Sequence, residues 1–195
     1  ARRLQDPLAE LVKIDPKAIG VGQYQHDMPQ NRLAEALDGV VESCVNGVGV
    51  DLNTASAPLL SRVAGVSATV AQNIVAYREE HGPFSSRSEL KKVPKLGPRA
   101  FEQCAGFLRV PESGDYLDRT AVHPESYPAA RELLALCGLG KGPASGSLTP
   151  EQGERLIRTV EDTGWAALAG RLGIGEPTLR DMVDELLRPG RDPRE

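Results

Sequence analysis

The feature that most constrains this chain is an internal repeat with an offset of 30 residues. Leu60 matches Leu90, Val63 matches Val93, Val66 matches Leu96, Val70 matches Ala100 and Ile74 matches Cys104. Each copy follows one plan: a short helix ending in Leu-x-x-Val, a tight turn, then a longer helix. The turns are Ala64-Gly65-Val66-Ser67 and Pro94-Lys95-Leu96-Gly97. Two such units in tandem predict a chain of short helices joined by tight turns.

The turns carry residue types suited to holding an anion. Gly65 and Gly97 permit unusual backbone angles and a close approach by another backbone. Val66 and Leu96 are apolar and pin each turn onto its own helices. Each turn runs straight into a helix N-terminus, where unpaired amides and the positive end of the helix dipole face outward. Phosphate is a common occupant of such a position, and contacts of this kind fix a protein on a strand without reading its bases. The amides over Gly65–Ala68 and Gly97–Arg99 are therefore the expected donors.

The pattern resembles the helix-hairpin-helix family, whose turn reads apolar-x-Gly-apolar-Gly. The text LNTAS before copy one, YREEHGPF between the copies and ELKKV at the start of copy two is similar to tandem domains of that family in bacterial DNA-receptor proteins. Each copy departs from the pattern at one glycine. Copy one has Ser67 at the second position, where a hydroxyl still caps the helix. Copy two has Lys95 at the first, which adds a cation beside the turn.

Charge separates the two copies. The chain has 195 residues and a net charge of −4. Residues 54–84 are neutral, and residues 85–110 carry six cations (Arg87, Lys91, Lys92, Lys95, Arg99, Arg109) against Glu89 and Glu102, for +4. The remainder therefore carries −8. A single basic segment in an acidic protein points to a local polyanion contact at copy two, with Lys91, Lys92, Lys95 and Arg99 around its turn. The candidate nucleic-acid-binding residues are these four together with Gly65, Val66, Ser67, Ala68, Leu96 and Gly97. Copy one has only Arg62 nearby.

Aromatics make up 4% of the chain, so its cores must be aliphatic. Long β-type alternation is scarce and helical spacing is frequent, so the expected fold class is all-α: tandem helix-hairpin-helix units followed by a small helical domain. Helices are expected to about residue 12, at 30–45 (ending at Asn46-Gly47), 54–62 with Asn53 as N-cap, 68–80, 86–92, 98–108, 125–136, 150–162 capped by Thr149, 164–171 and 177–187. Residues 111–120 read as a polar linker and 138–147 as a Gly- and Ser-rich loop. Cys44, Cys104 and Cys137 lack metal-ligand spacing and are expected on helix faces as small apolar residues. No apolar run approaches the ~20 residues of a membrane span.

Text outside the repeat narrows the resemblance. ARRLQDPLAELVKIDPKAIGVGQYQHDM, VGVDLNTAS, FEQCAGFLRV, AVHPESYP and PGRDPR are similar to the bacterial Tex family of transcription accessory proteins. That family is itself similar in architecture to a eukaryotic transcription elongation factor and histone chaperone. The resemblance implies a fragment: residues 1–28 the tail of an RNase H-like domain, 29–110 a helical lead-in and the tandem hairpins, 111–188 a C-terminal helical domain and 189–195 a linker toward an OB-fold RNA-binding domain. It implies a cytoplasmic protein whose partners are RNA or DNA backbone and RNA polymerase or ribosome-associated proteins. A monomer with no membrane contact and no cofactor is expected.

Other constellations carry less. His26 and Asp27 suggest acid–base chemistry, but RNase H-type chemistry needs several carboxylates around metal ions, and a structural role for His26 is expected. His81 and His123 are singletons near turns. Residues 165–187 are spaced like a helix-turn-helix, with Gly173 at the turn and Thr178-Leu179-Arg180 opening the second helix. Glu176, Asp181, Asp184 and Glu185 would repel phosphate there, so helical packing is the reading, with Trp165 as a core anchor. The preferred function is sequence-nonspecific binding of nucleic-acid backbone within a transcription accessory protein, without catalysis. The rival is a structural scaffold that docks the transcription machinery.

Overall fold

In the computed structural model, residues 4, 7–19, 27–144 and 146–189 are described. His26 and the PGRDPR text beyond Pro189 lie outside them. The elements are α1 (Pro7–Leu11), a 3-10 turn (Pro16–Ile19), α2 (Gln30–Val48), β1 (Val50–Asp51), α3 (Ala57–Leu60), α4 (Ala68–His81), a 3-10 helix (Arg87–Lys92), α5 (Pro98–Cys104) and β2 (Leu108–Arg109). After two further 3-10 turns (Tyr116–Arg119, Pro124–Ser126) come α6 (Tyr127–Leu136), α7 (Pro150–Thr163), α8 (Trp165–Leu172) and α9 (Glu176–Leu187). The fold is all-α.

Two aliphatic cores form. The first gathers Val45, Leu52, Leu60, Val63, Val66, Ile74, Leu90, Val93, Leu96 and Leu108. Of the repeat positions, Leu60 and Leu90, Val63 and Val93, Val66 and Leu96, and Ile74 and Cys104 are buried in pairs, whereas Val70 is buried and its counterpart Ala100 only partly so. Val12 joins this core, with Leu8 and Ala9 packed against it. The second gathers Tyr116, Leu117, Leu133, Leu134, Leu156, Val160, Leu168, Leu179 and Leu186. Thr149 caps α7 through a reciprocal pair with Gln152, and Pro150 occupies the first turn.

Several expectations are corrected. Asn53 does not cap a helix. Its side-chain amide accepts from Phe84 N at 2.8 Å and donates to Phe84 O at 3.0 Å, and Ser56 precedes α3 instead. That double bond ties the start of copy one to the start of copy two. Asn46-Gly47 does not end α2, which runs to Val48 and stops at Gly49 with φ 75°. The expected helix at 86–92 is a 3-10 helix, and α5 stops at Cys104 because the chain turns into β2. β1 and β2 pair in parallel, Val50 opposite Leu108 and Asp51 opposite Arg109, and clasp the two ends of the repeat. Residues 111–120 are no linker: Tyr116, Leu117, Asp118 and Thr120 are buried. Cys44 lies exposed on α2, whereas Cys104 and Cys137 are buried.

The α8–α9 segment repeats the hairpin plan. Gly173 holds φ 68°, Ile174 follows, and Gly175 precedes α9 at φ −72° and ψ 150°. Ser67 before α4 (φ −72°, ψ 161°) and Gly97 before α5 (φ −77°, ψ 170°) have the same geometry. Gly65 at φ 78° and Lys95 at φ 65° stand where Gly173 stands. The described residues therefore hold three hairpins, and the segment spaced like a helix-turn-helix is the third.

Candidate nucleic-acid interface

The three turns share a backbone and differ in their surroundings. At the first, the oxygen of Ser67 accepts from Val70 N, and Ala64 N donates to Asn46 Oδ1. The cation nearest this turn in the sequence, Arg62, is bonded to Asp38 at 2.7 Å. A Cβ on Gly65 would lie 2.6 Å from Gln103 Cβ and 3.2 Å from the Ala100 carbonyl. The glycine of turn one is thus required by α5, part of its own protein. Val66 is buried, and Ser67 and Ala68 are exposed at the helix start.

The second turn is free of such packing. A Cβ on Gly97 would meet nothing within 4 Å, and its φ of −77° suits any residue. Neither backbone strain nor crowding explains a glycine there, and it leaves α5 without a capping side chain. The amides of Gly97, Arg99 and Ala100 donate no hydrogen bond within the chain. Pro98 has no amide proton, so the expected donor set over Gly97–Arg99 is corrected: Ala100 replaces Pro98. Asn73 Nδ2 donates to Pro94 O at 2.7 Å and steadies the turn from α4. Leu96 is buried and anchors it.

Lys91, Lys92, Lys95 and Arg99 are all exposed around this turn. Lys91 Nζ lies 4.8 Å from the centre of the Phe101 ring, a cation–π contact. Lys92 reaches Glu89 only at 4.0 Å. Lys95 and Arg99 are in no ion pair. Lys95 is the one non-glycine with positive φ among the described residues, which aims a cation from a position that normally favours glycine.

The other two cations of the basic segment face inward. Arg87 is fully buried, and its five N–H groups all meet oxygens. Nε donates to Leu108 O, Nη1 to Val122 O and to the Tyr127 hydroxyl, and Nη2 to Asp118 O and Thr120 O. The Tyr127 hydroxyl donates onward to Asp118 Oδ1 at 2.6 Å. Burial and the Asp118 carboxylate push the Tyr127 phenol far above its ordinary range. Arg109 lies against Gly49, and burial lowers the pKa of its guanidinium. Charge counting cannot separate such structural arginines from surface ones.

At the third turn both cations are occupied. Arg171 pairs with Glu132 at 3.7 Å. Arg180 pairs with Glu176 at 2.7 Å and stacks 4.3 Å from the Trp165 ring. Trp165 is half-buried beside the second core.

A cleft of about 450 Å³ opens beside turn two, lined by Lys91, Leu96, Gly97, Pro98 and Phe101 on one wall and by His123, Pro124 and Glu125 on the other. His123 reads as a singleton in the sequence because Glu102, whose carbonyl it bonds, lies 21 residues away. Its Nδ1 accepts from Glu125 N at 3.3 Å, so Nε2 carries the proton donated to Glu102 O at 2.8 Å. His81 instead stacks on Tyr77, with ring centres 4.3 Å apart. Among the described residues no group of His, Cys, Asp or Glu is arranged to hold a metal ion. No described helix is long and apolar enough to cross a membrane.

Repeated left-handed turns between short helices, each followed by an extended N-cap, define a helix-hairpin-helix protein. The helix-hairpin-helix motif family matches residues 45–109, and the HHH domain family matches residues 115–194. The chain belongs to the Tex family. It is 56% identical over 194 residues to the transcriptional accessory protein Tex of Neisseria gonorrhoeae, covering 100% of this chain and 24% of that protein. It is 53% identical over 194 residues to the protein YhgF of Escherichia coli, again covering 100% and 24%. Against the human S1 RNA-binding domain-containing protein 1 it is 39% identical over 242 residues, covering 97% and 24%. The chain spans about a quarter of the length of these relatives.

Proposed function

We propose that this chain binds the sugar-phosphate backbone of RNA or DNA through its second hairpin, without sequence specificity, as part of a transcription accessory protein. The observation that carries the reading is the setting of Lys95. It projects from a left-handed turn beside Gly97, next to three amides that donate to nothing in the chain, with Lys91, Lys92 and Arg99 exposed around it. Four exposed cations, two of them (Lys95 and Arg99) in no ion pair, favour a polyanion. The occupied arginines of turns one and three make those hairpins architectural. The module works in the cytoplasm by binding, with no reaction of its own, and a metal-dependent nuclease assay on the chain is expected to be blank.

The test is fluorescence anisotropy with labelled strands at about 50 and 200 mM salt, the range over which phosphate contacts separate. The variant Lys95→Glu/Arg99→Glu is expected to lose at least tenfold in affinity at the lower salt. Equal binding by variant and parent would overturn the assignment.

A second reading rests on turn three. Glu176, Asp181, Asp184 and Glu185 form an acidic helix beside it. That surface suits a basic protein of the polymerase or the ribosome, with the hairpins as scaffold. A chain that binds no strand at low salt would favour it.

A further inference from the structure

We propose that the cleft beside turn two takes an unpaired nucleotide, so that this site prefers single strands to duplexes. The inference rests on the backbone-binding reading of the second hairpin and deepens it. The 450 Å³ cleft falls within the roughly 300–1,000 Å³ typical of small-molecule sites. Its walls differ in chemistry. The Lys91 ammonium and the Gly97 backbone stand on the hairpin side, where a strand would lay its phosphate. Leu96, Pro98 and Phe101 add apolar lining on the same side. The far wall carries the His123 imidazole, a flat ring of the kind on which bases stack, beside Pro124. Glu102 and Glu125 also line the cleft. Their carboxylates repel further phosphates and accept hydrogen bonds from the ring and exocyclic N–H groups of a base, which orients the nucleotide base-inward.

The far wall is held in place before any ligand arrives. Two hydrogen bonds fix the His123 ring. Val122, the preceding residue, is held through its carbonyl by buried Arg87. Ala121 N donates to the Glu185 carboxylate at 3.0 Å. A pre-organised wall costs little ordering on binding. A paired base inside a duplex is stacked and turned away from such a cleft, and extracting it costs free energy. A single strand presents its bases freely.

The experiment compares four probes of equal length on the intact chain at low salt: single-stranded RNA, single-stranded DNA, duplex DNA, and a DNA strand with abasic sites throughout its centre. At least one single strand is expected to bind about tenfold tighter than the duplex, the scale of one base–aromatic stack. The abasic strand keeps its flexibility and charge, and is expected to fall to the duplex level. His123→Ala, checked for folding by thermal melting, is expected to weaken the single strands to that level and leave duplex binding unchanged. Equal binding of all four probes, lost on Lys95→Glu/Arg99→Glu, would overturn the cleft and leave the backbone reading standing. Binding of no probe by the parent chain would overturn both.

Discussion

Lys95 and Gly65 stand 30 residues apart and hold the same left-handed backbone, at φ 65° and 78°. For glycine this conformation is free; for lysine it costs about 1 kcal/mol. Lys95→Gly is therefore expected to raise the melting temperature by about 2–4 °C while weakening nucleic-acid binding through loss of a cation. Calorimetry and anisotropy on the same preparation check both halves. A variant that is neither more stable nor weaker in binding would contradict the account of this turn.

The two turn glycines are expected to respond in opposite ways. Gly65→Ala puts a Cβ 2.6 Å from Gln103 Cβ at a positive φ, and should cost more than about 2 kcal/mol through overpacking and strain together. Gly97→Ala meets nothing and should change stability by under about 1 kcal/mol. The added methyl leaves the amides of Arg99 and Ala100 uncovered, so binding should change less than about twofold. Chemical denaturation of both variants, with binding measured for the second, decides this.

Arg87 joins the two cores through five hydrogen bonds. Arg87→Met would strand buried carbonyls of Leu108, Val122 and Thr120, and should cost roughly 3–5 kcal/mol. Tyr127→Phe removes one hydroxyl from the same network and should cost about 1–2 kcal/mol. Urea melts are the measurement. An Arg87→Met cost under about 1 kcal/mol would show that the cores do not depend on this residue.

Stability should fall at alkaline pH. Burial pushes the Cys104 thiol up from 9.0 to about 11 and the Tyr116 phenol from 10.0 to about 12. In both, the unfolded chain releases its proton first. Their stabilising effect is complete below about pH 9 and is lost between pH 9 and 12 as the unfolded state ionises. Melting temperatures at pH 8 and 10.5 should differ by several degrees, and Cys104→Ala should reduce the difference.

The repeat was legible in the sequence because its spacing is constant and its apolar positions serve one local packing plan. The third hairpin was harder to see. Its Gly-Ile-Gly turn lies at a different offset and lacks a preceding Leu-x-x-Val, so Gly173 read as part of another motif. The β1–β2 clasp pairs two residues with two, too short to show alternation. Asn53 looked like a cap because capping is a local habit of asparagine, whereas its partner Phe84 lies 31 residues away. The same limit hid the cleft, whose walls come from residues 91–102 and 123–125. The four surface cations were readable as charge, and only burial distinguished them from Arg87 and Arg109.

The most direct test of the central claim is the slope of log affinity against log salt for the intact chain on a single strand. Four phosphate contacts at about 0.7 each predict a slope near −3. Replacing Lys91, Lys92, Lys95 and Arg99 with Ala should bring the slope close to zero and abolish most binding. A slope that stays the same in the quadruple variant would contradict the second hairpin as the site of backbone contact.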